Sequence, residues 1–281
     1  MDTGFSHADA ENDFLRVRRR QVLSRLASWL RREPDDISEI LPFDEVVTAL
    51  GRTGERPLGL QVIPLDSIVG SVDRTADFDR WFRPRSQRTR ERWERLARAQ
   101  RRGEPIPPID VYRVGGLHFV RDGHHRVSVA HAVGLRVIEA RVTEVTTRLD
   151  TAGIEHRSDL ITKDLRRVFL DRVPLTGRAL ESIRITDAWS YAELSETVEA
   201  WGFRLMQHER RYLDRETVAR RWWSEEFQPV VRMLRDADLI DGRTDAEAYL
   251  QLAGQRYRLL RTHRWDDEVV ARLRRNPGRH H

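Results

Sequence analysis

The sequence predicts an α+β protein: a helical segment over residues 1–56, a compact mixed-sheet domain over 57–146 and an all-α half over 147–281. Three observations carry this. Apolar residues alternate in short runs between Leu58 and Val145, the period of half-buried strands. They recur at helical spacing on either side, as at Leu15, Val22, Leu26, Trp29 and Leu30. Glycine or proline closes several of these runs, as at Gly51, Pro64, Gly103 and Gly134.

Phe14 to Leu30 reads as a helix whose wet face carries Arg16, Arg18, Arg19 and Arg20, and Pro34 breaks it. Phe43 to Leu50 reads as a second helix, closed by Gly51. Gly51 to Pro57 reads as a loop and a candidate boundary, Leu58 to Ile63 as a strand, and Leu65 to Ile68 as a turn. Gly70 to Ser86 crowds charges and aromatics together. Gln87 to Arg102 reads as a helix with Trp93, Leu96 and Ala97 on one side and arginines on the other.

Pro105 to Pro108 delivers an extended chain into the central stretch. There Ile109 to Val114 and Leu117 to Val120 read as a hairpin about Gly115-Gly116. A helix with Val127, Ala130 and Val133 on one face follows, stopping at Gly134, and Val137 to Val145 is a further strand. Beyond Thr146 the pattern is helical, over Tyr191–Gln207, Glu209–Phe227, Val230–Leu239 and Asp245–Arg261. Capping boxes are expected at Ser190/Glu193 and Thr244/Glu247, and Pro229 should kink or divide the middle pair. Trp189, Trp201, Trp222, Trp223 and Trp265 read chiefly as helix-packing core, with base stacking as the alternative.

Composition narrows the chemistry. Charged residues make up 34% of the chain against 39% hydrophobic, net charge is +5, and Lys163 is the only lysine, so positive charge is almost all arginine. Arginine forks suit phosphate, although an arginine-rich codon bias gives the same balance. With no cysteine, disulfides, thiolate metal sites and cysteine nucleophiles are excluded. Residues 1–11 do not read as a signal peptide and no apolar run nears the roughly 18 residues of a membrane span, so the expected setting is cytoplasmic and away from membranes.

The chemistry concentrates at Asp122-Gly123-His124-His125-Arg126. Asp122 can cap the helix that follows, Gly123 lets a ligand approach the backbone, the histidines offer donors and Arg126 a charge-assisted pair. A helix start in this setting is an anion site. A metal held by protein side chains is not expected: adjacent histidines on a helix diverge by about 100°. No P-loop or dinucleotide-binding glycine pattern is present.

The order Pro57-Leu58-Gly59-Leu60-Gln61-Val62-Ile63-Pro64, an arginine helix, Pro105-Ile106-Pro107-Pro108-Ile109-Asp110-Val111-Tyr112, Phe119-Val120-Arg121-Asp122-Gly123-His124-His125-Arg126 and Gly134-Leu135-Arg136-Val137-Ile138 resembles the ParB N-terminal-like domain of the ParB/sulfiredoxin superfamily, over residues 57–146. That family's glycine-x-x-arginine-x-x-alanine pattern contacts nucleotide phosphates. It falls here on Gly123, Arg126 and, one position late, Ala130. Arg74, followed by Asp77-Phe78, resembles the arginine-phenylalanine segment of partition proteins.

Departures from the family restrict what carries over. Sulfiredoxins use a cysteine where His124 stands, which excludes sulfinic acid reduction. Past Val145 neither the partition-protein Glu-Asn-x-x-Arg box nor its helix-turn-helix is found. Free-serine kinases carry an Asp-Gly-His-Thr-Arg type motif that Asp122 to Arg126 resembles.

The resemblance implies a nucleotide-binding, DNA-associated protein of partition or regulatory type, compatible with a homodimer. Asp122, Gly123, His124, His125, Arg126 and Arg74 would hold the phosphates of CTP, ATP or ADP, with Mg2+ arriving on the nucleotide. Arginine faces at 83–102, through Arg83, Arg85, Arg88, Arg92 and Arg95, and at 16–32 would contact nucleic acid. Two alternatives stay open: an enzyme on the same pocket (a small-molecule kinase, nuclease, nucleotide hydrolase or phosphotransferase), with no catalytic residue assigned, and an interaction scaffold.

Overall fold

A computed structural model describes residues 39–85, 90–104, 106–260, 265–266 and 268–271, without the side chains of 90–92 and 257–260. The helix expected over Phe14 to Leu30 lies outside these residues. The chain divides into two compact units between Asp164 and Leu165.

In the first unit, β1 (Leu41–Pro42) leads into α1 (Phe43–Leu50), followed by β2 (Arg52–Pro64), β3 (Ile68–Ser71) and α2 (Arg90–Arg101). Then come β4 (Ile109–Val114), β5 (Leu117–Asp122), α3 (His124–Ala132), β6 (Val137–Thr147) and α4 (Asp159–Arg172), which runs across the division. The six strands form one mixed sheet in the order β1-β3-β5-β4-β6-β2. β4 and β5 are the expected antiparallel hairpin, and Gly115 at φ 55° supplies the positive angle its two-residue turn needs.

Strand pairing explains where the sequence reading fell short. β2 pairs with β6 from Arg52 to Pro64, so the loop expected over Gly51 to Pro57 is strand. Its glycine, proline and charges are tolerated because β2 is an edge strand with register shifts at Arg52/Gly54 and Pro57/Gly59. β1 and β3, two and four residues long, are too short to show periodicity, yet β3 pairs parallel with both β1 and β5.

On one side of the sheet, Ile109, Val111, Val120, Ala140 and Val142 alternate inward and meet Val127 of α3. Trp93 and Ala97 of α2 pack on Val129, and Trp93 Nε1 donates to Ser128 Oγ at 2.8 Å. On the other side α1 covers part of the sheet: Phe43 stacks on Tyr112 with centroids 4.6 Å apart and meets Phe119 edge-on.

All the regular structure among the second unit's described residues is helical: α5 (Gly177–Ser182), α6 (Ser190–Glu209), α7 (Arg215–Arg221), α8 (Gln228–Asp236) and α9 (Asp245–Leu260). The helix expected over Glu209 to Phe227 is interrupted at Arg210, φ 51°, and restarts on Asp214, whose carboxylate accepts from Thr217 N at 2.7 Å. Between α7 and α8 a π-helical turn spans Trp222 to Phe227. Of the expected kink or division, the structure shows no division: Pro229 sits in the first turn of α8, directly after the π-helical turn, whose wider spacing is the local irregularity there. Trp222 is fully buried against Phe227 and Tyr249, as expected of core, whereas Trp189 is 72% exposed. No helix among the described residues is long and apolar enough to cross a membrane.

Candidate functional site: the start of α3

Asp122 is the last residue of the central strand β5, and Gly123 turns the chain into α3 with φ 105° and ψ 19°. A Cβ at Gly123 would lie 2.5 Å from Ile109 Cγ2 and 3.0 Å from Arg126 Nε, so both backbone angle and space demand glycine. The cap position is Gly123, and no side chain caps the helix. The expectation that Asp122 would do so is corrected: Asp122 is the last residue of β5, one position early, and its Oδ2 accepts from Arg126 Nη2.

Arg126 is the centre of a clamp. Besides Asp122 it donates through Nη1 to the carbonyl oxygens of Pro107, at 2.9 Å, and Pro108. One guanidinium thus ties α3 to the end of β5 and to the proline segment that enters β4. Two of its nitrogens are engaged before any ligand arrives.

The two histidines differ from the exposed donors the sequence suggests. His124 Nε2 and Ser71 Oγ share a 2.7 Å hydrogen bond, Ser71 Oγ also accepts from Arg74 N at 3.0 Å, and the ring stacks on Phe78. Burial pushes the His124 imidazole down to about 4, against the opposing pull of Asp73, so the ring is neutral at pH 7. His125 is buried edge-on to Phe78, centroids 5.3 Å apart.

Positive charge enters from elsewhere. Arg74, on the turn after β3, is 43% exposed with Nη1 3.6 Å from Asp77 Oδ2. Arg95, on α2, is exposed. Together with Leu96, Pro107 and Asp122 to Arg126 they line an open cavity of about 570 Å³ in front of the uncapped helix start. All six phosphate-site residues read from the sequence line this one cavity.

Of the arginines read as nucleic-acid contacts, Arg95 is in the cavity and Arg88 lies outside the described residues, as does the side chain of Arg92. Arg83 is not a free cation: its Nε donates to Asp79 Oδ2 at 2.7 Å and its guanidinium lies over Trp81. Arg85 has its Nε buried. Asp79, read from the sequence only as part of the crowded Gly70 to Ser86 segment, and Ser71, not singled out there, organise this wall. Asp79 Oδ1 also accepts the Trp81 and Arg83 amides, an Asx-type turn that the Asp-x-Trp-x-Arg spacing could have indicated. Ser71 has no local signal; it reaches His124 across 53 positions. Among the described residues no group of three or more His, Asp or Glu side chains could hold a metal ion.

Comparison with known proteins adds little to this geometry. No protein-family model matches the chain, and no curated protein matches it. Among solved structures, a sulfiredoxin from Arabidopsis thaliana is similar over 31% of this chain and 86% of its own, at 24% identity and a TM-score of 0.25.

Proposed function

We propose that the first unit binds a nucleoside di- or triphosphate (CTP, ATP or ADP) in a ParB-like manner at the start of α3, in a protein that acts beside DNA in partition or regulation. The observation that carries this is an uncapped helix start opening into a cavity of about 570 Å³ that also contains Arg74 and Arg95. The first-turn N–H groups and the helix dipole supply donors, the two arginines supply mobile charge, and the volume is that of ordinary ligand sites. Any Mg2+ would come with the nucleotide and share its oxygens. Arg126 acts as the clamp that fixes the cavity's floor rather than as the principal phosphate ligand.

Binding is proposed without turnover because no substrate group is assigned to the cavity's side chains: His124 is engaged by Ser71 and Asp122 by Arg126. Association with DNA rests on net charge +5 and on the arginines of α2.

A thermal-shift screen tests the pocket. CTP, ATP or ADP should raise the melting temperature; Arg95→Ala and Arg74→Ala should each weaken that shift at least about tenfold in ligand concentration, while leaving the ligand-free melting temperature within about a degree of the parent. Arg126→Ala should lower the ligand-free melting temperature itself. Absence of a shift with every nucleotide would end this reading, and labelled-nucleotide turnover above background would replace binder with enzyme.

A further inference from the structure

The side of the sheet away from α3 is left partly bare. β2 and β6 pair with Leu60 opposite Arg141, Val62 opposite Glu139 and Pro64 opposite Val137. Strand alternation turns all of these away from the Ile63 and Ala140 side, which is core. Leu60, Val62 and Val137 are 60%, 63% and 50% exposed, large apolar side chains grouped on one face. From Leu60 a cavity of about 560 Å³ continues across β6 to Asp110 and Arg121 at the end of the hairpin.

We propose that this face is an interface between two copies of the chain, related by a twofold axis. Its charge pattern selects that occupant. Arg121 and Arg141 stand beside Asp110 and Glu139, two of each sign around the apolar centre. Nucleic acid would call for a net positive face. A twofold interface brings a patch against itself, so it has to carry both signs in places that exchange. Glu139 and Arg141 are on the same face of β6, one on each side of residue 140. An axis at the level of residue 140 sets each Glu139 against the other copy's Arg141.

The same strand argues against the alternative of edge-to-edge pairing through β2. Pro57 has no N–H to donate, and the register shift between Pro57 and Gly59 bends that edge. The face offers apolar area without these obstacles. This inference is independent of the phosphate cavity, which opens on the α3 side.

Because the chain has no cysteine, Val62→Cys gives the full-length protein a single thiol at the centre of the face. Sedimentation velocity over about 1 to 100 µM should show a monomer–dimer equilibrium, and maleimide labelling of that thiol should slow as the dimer forms. Arg141→Glu should weaken the dimer at least roughly tenfold, and Arg141→Glu combined with Glu139→Arg should restore it, since the swapped charges still meet across the axis. A monomer at every concentration with a freely labelled thiol overturns the proposal. A monomer whose thiol is protected overturns it in favour of cover from within the same chain. A dimer indifferent to the charge variants places the interface elsewhere.

Discussion

The two units hold their pH-sensitive groups in opposite ways. In the sheet unit two buried histidines are kept neutral. His124 is bound to Ser71, and His118 Nδ1 lies 2.9 Å from Ser67 Oγ, whose own proton goes to the Pro64 carbonyl. That assignment makes His118 Nδ1 the donor and leaves Nε2 a buried lone pair without a partner. In the helical unit burial shifts an acid toward its neutral form, Glu226, beside the buried Arg256. Glu226, in the π-helical turn, accepts from Trp265 Nε1 at 3.1 Å and Tyr249 Oη at 3.3 Å, with Arg256 Nη1 3.8 Å away. Burial lowers the two histidines to about 4 and raises the Glu226 carboxyl. A neutral base and a reluctant acid make the units respond to acid in opposite directions.

This contrast gives the largest expected effect. A histidine whose folded pKa is depressed contributes stability that is complete above the ordinary value near 6.5 and is lost as pH falls toward 4. From pH 7 to pH 5 each should cost roughly 2 kcal/mol, about 4 kcal/mol for the pair. Glu226 has the reverse sign: its contribution is complete below the ordinary carboxylate range and is lost as pH rises through its raised value. Hydrogen exchange at pH 7 and pH 5, corrected for intrinsic rates, should show β3, β5 and α3 losing protection while α8 and α9 hold theirs. Equal loss in both units would break the comparison.

A backbone substitution sharpens it from the other side. Gly123→Ala forces a side chain into φ 105° and against Ile109 Cγ2, and should cost about 3 kcal/mol, combining backbone strain with overpacking. Urea unfolding followed by a sheet-unit probe such as Trp93 should show the loss. Gly134→Ala is the control: its φ of 79° is also positive, but no atom lies within 4 Å of the added Cβ, so it should cost less. Equal costs at the two positions would mean that the close contact with Ile109 contributes nothing.

Much of the sheet unit was legible because its signals are local. The hairpin, the helix after Gly123 and its stop before Gly134 follow from alternation, a glycine pair and positive φ. The cavity residues were legible as a cluster, since five of them are consecutive. What each does was not, because it depends on distant partners: Arg126 is held by Pro107 and Pro108, His124 by Ser71, and Arg95 joins the cavity only through the packing of α2 on α3. In the helical unit, periodicity found the helices from Tyr191 onward and the division near residue 208, which the structure places at Arg210, but it left α5 (Gly177–Ser182) unread. The π-helical turn at Trp222 leaves the apolar spacing nearly unchanged, so nothing in a 3.6-residue pattern marks it.

The two capping boxes read from the sequence separate on the same principle and yield the smallest prediction. At Thr244 the box forms: Thr244 N donates to Glu247 Oε2 at 3.0 Å, Glu247 N donates to Thr244 Oγ1 at 3.3 Å, and the hydroxyl donates to Arg184 O at 2.7 Å. At Ser190 it does not, because α6 already includes Ser190 and the hydroxyl donates instead to Asp187 Oδ2. Thr244→Ala should therefore cost about 1 to 2 kcal/mol, Thr244→Ser a few tenths, and Ser190→Ala about as little as any exposed side chain. Urea midpoints followed by the Trp222 fluorescence of the helical unit rank the three. Equal losses at Thr244 and Ser190 would show that neither the formed box nor the tie to Arg184 contributes to holding α9 in place.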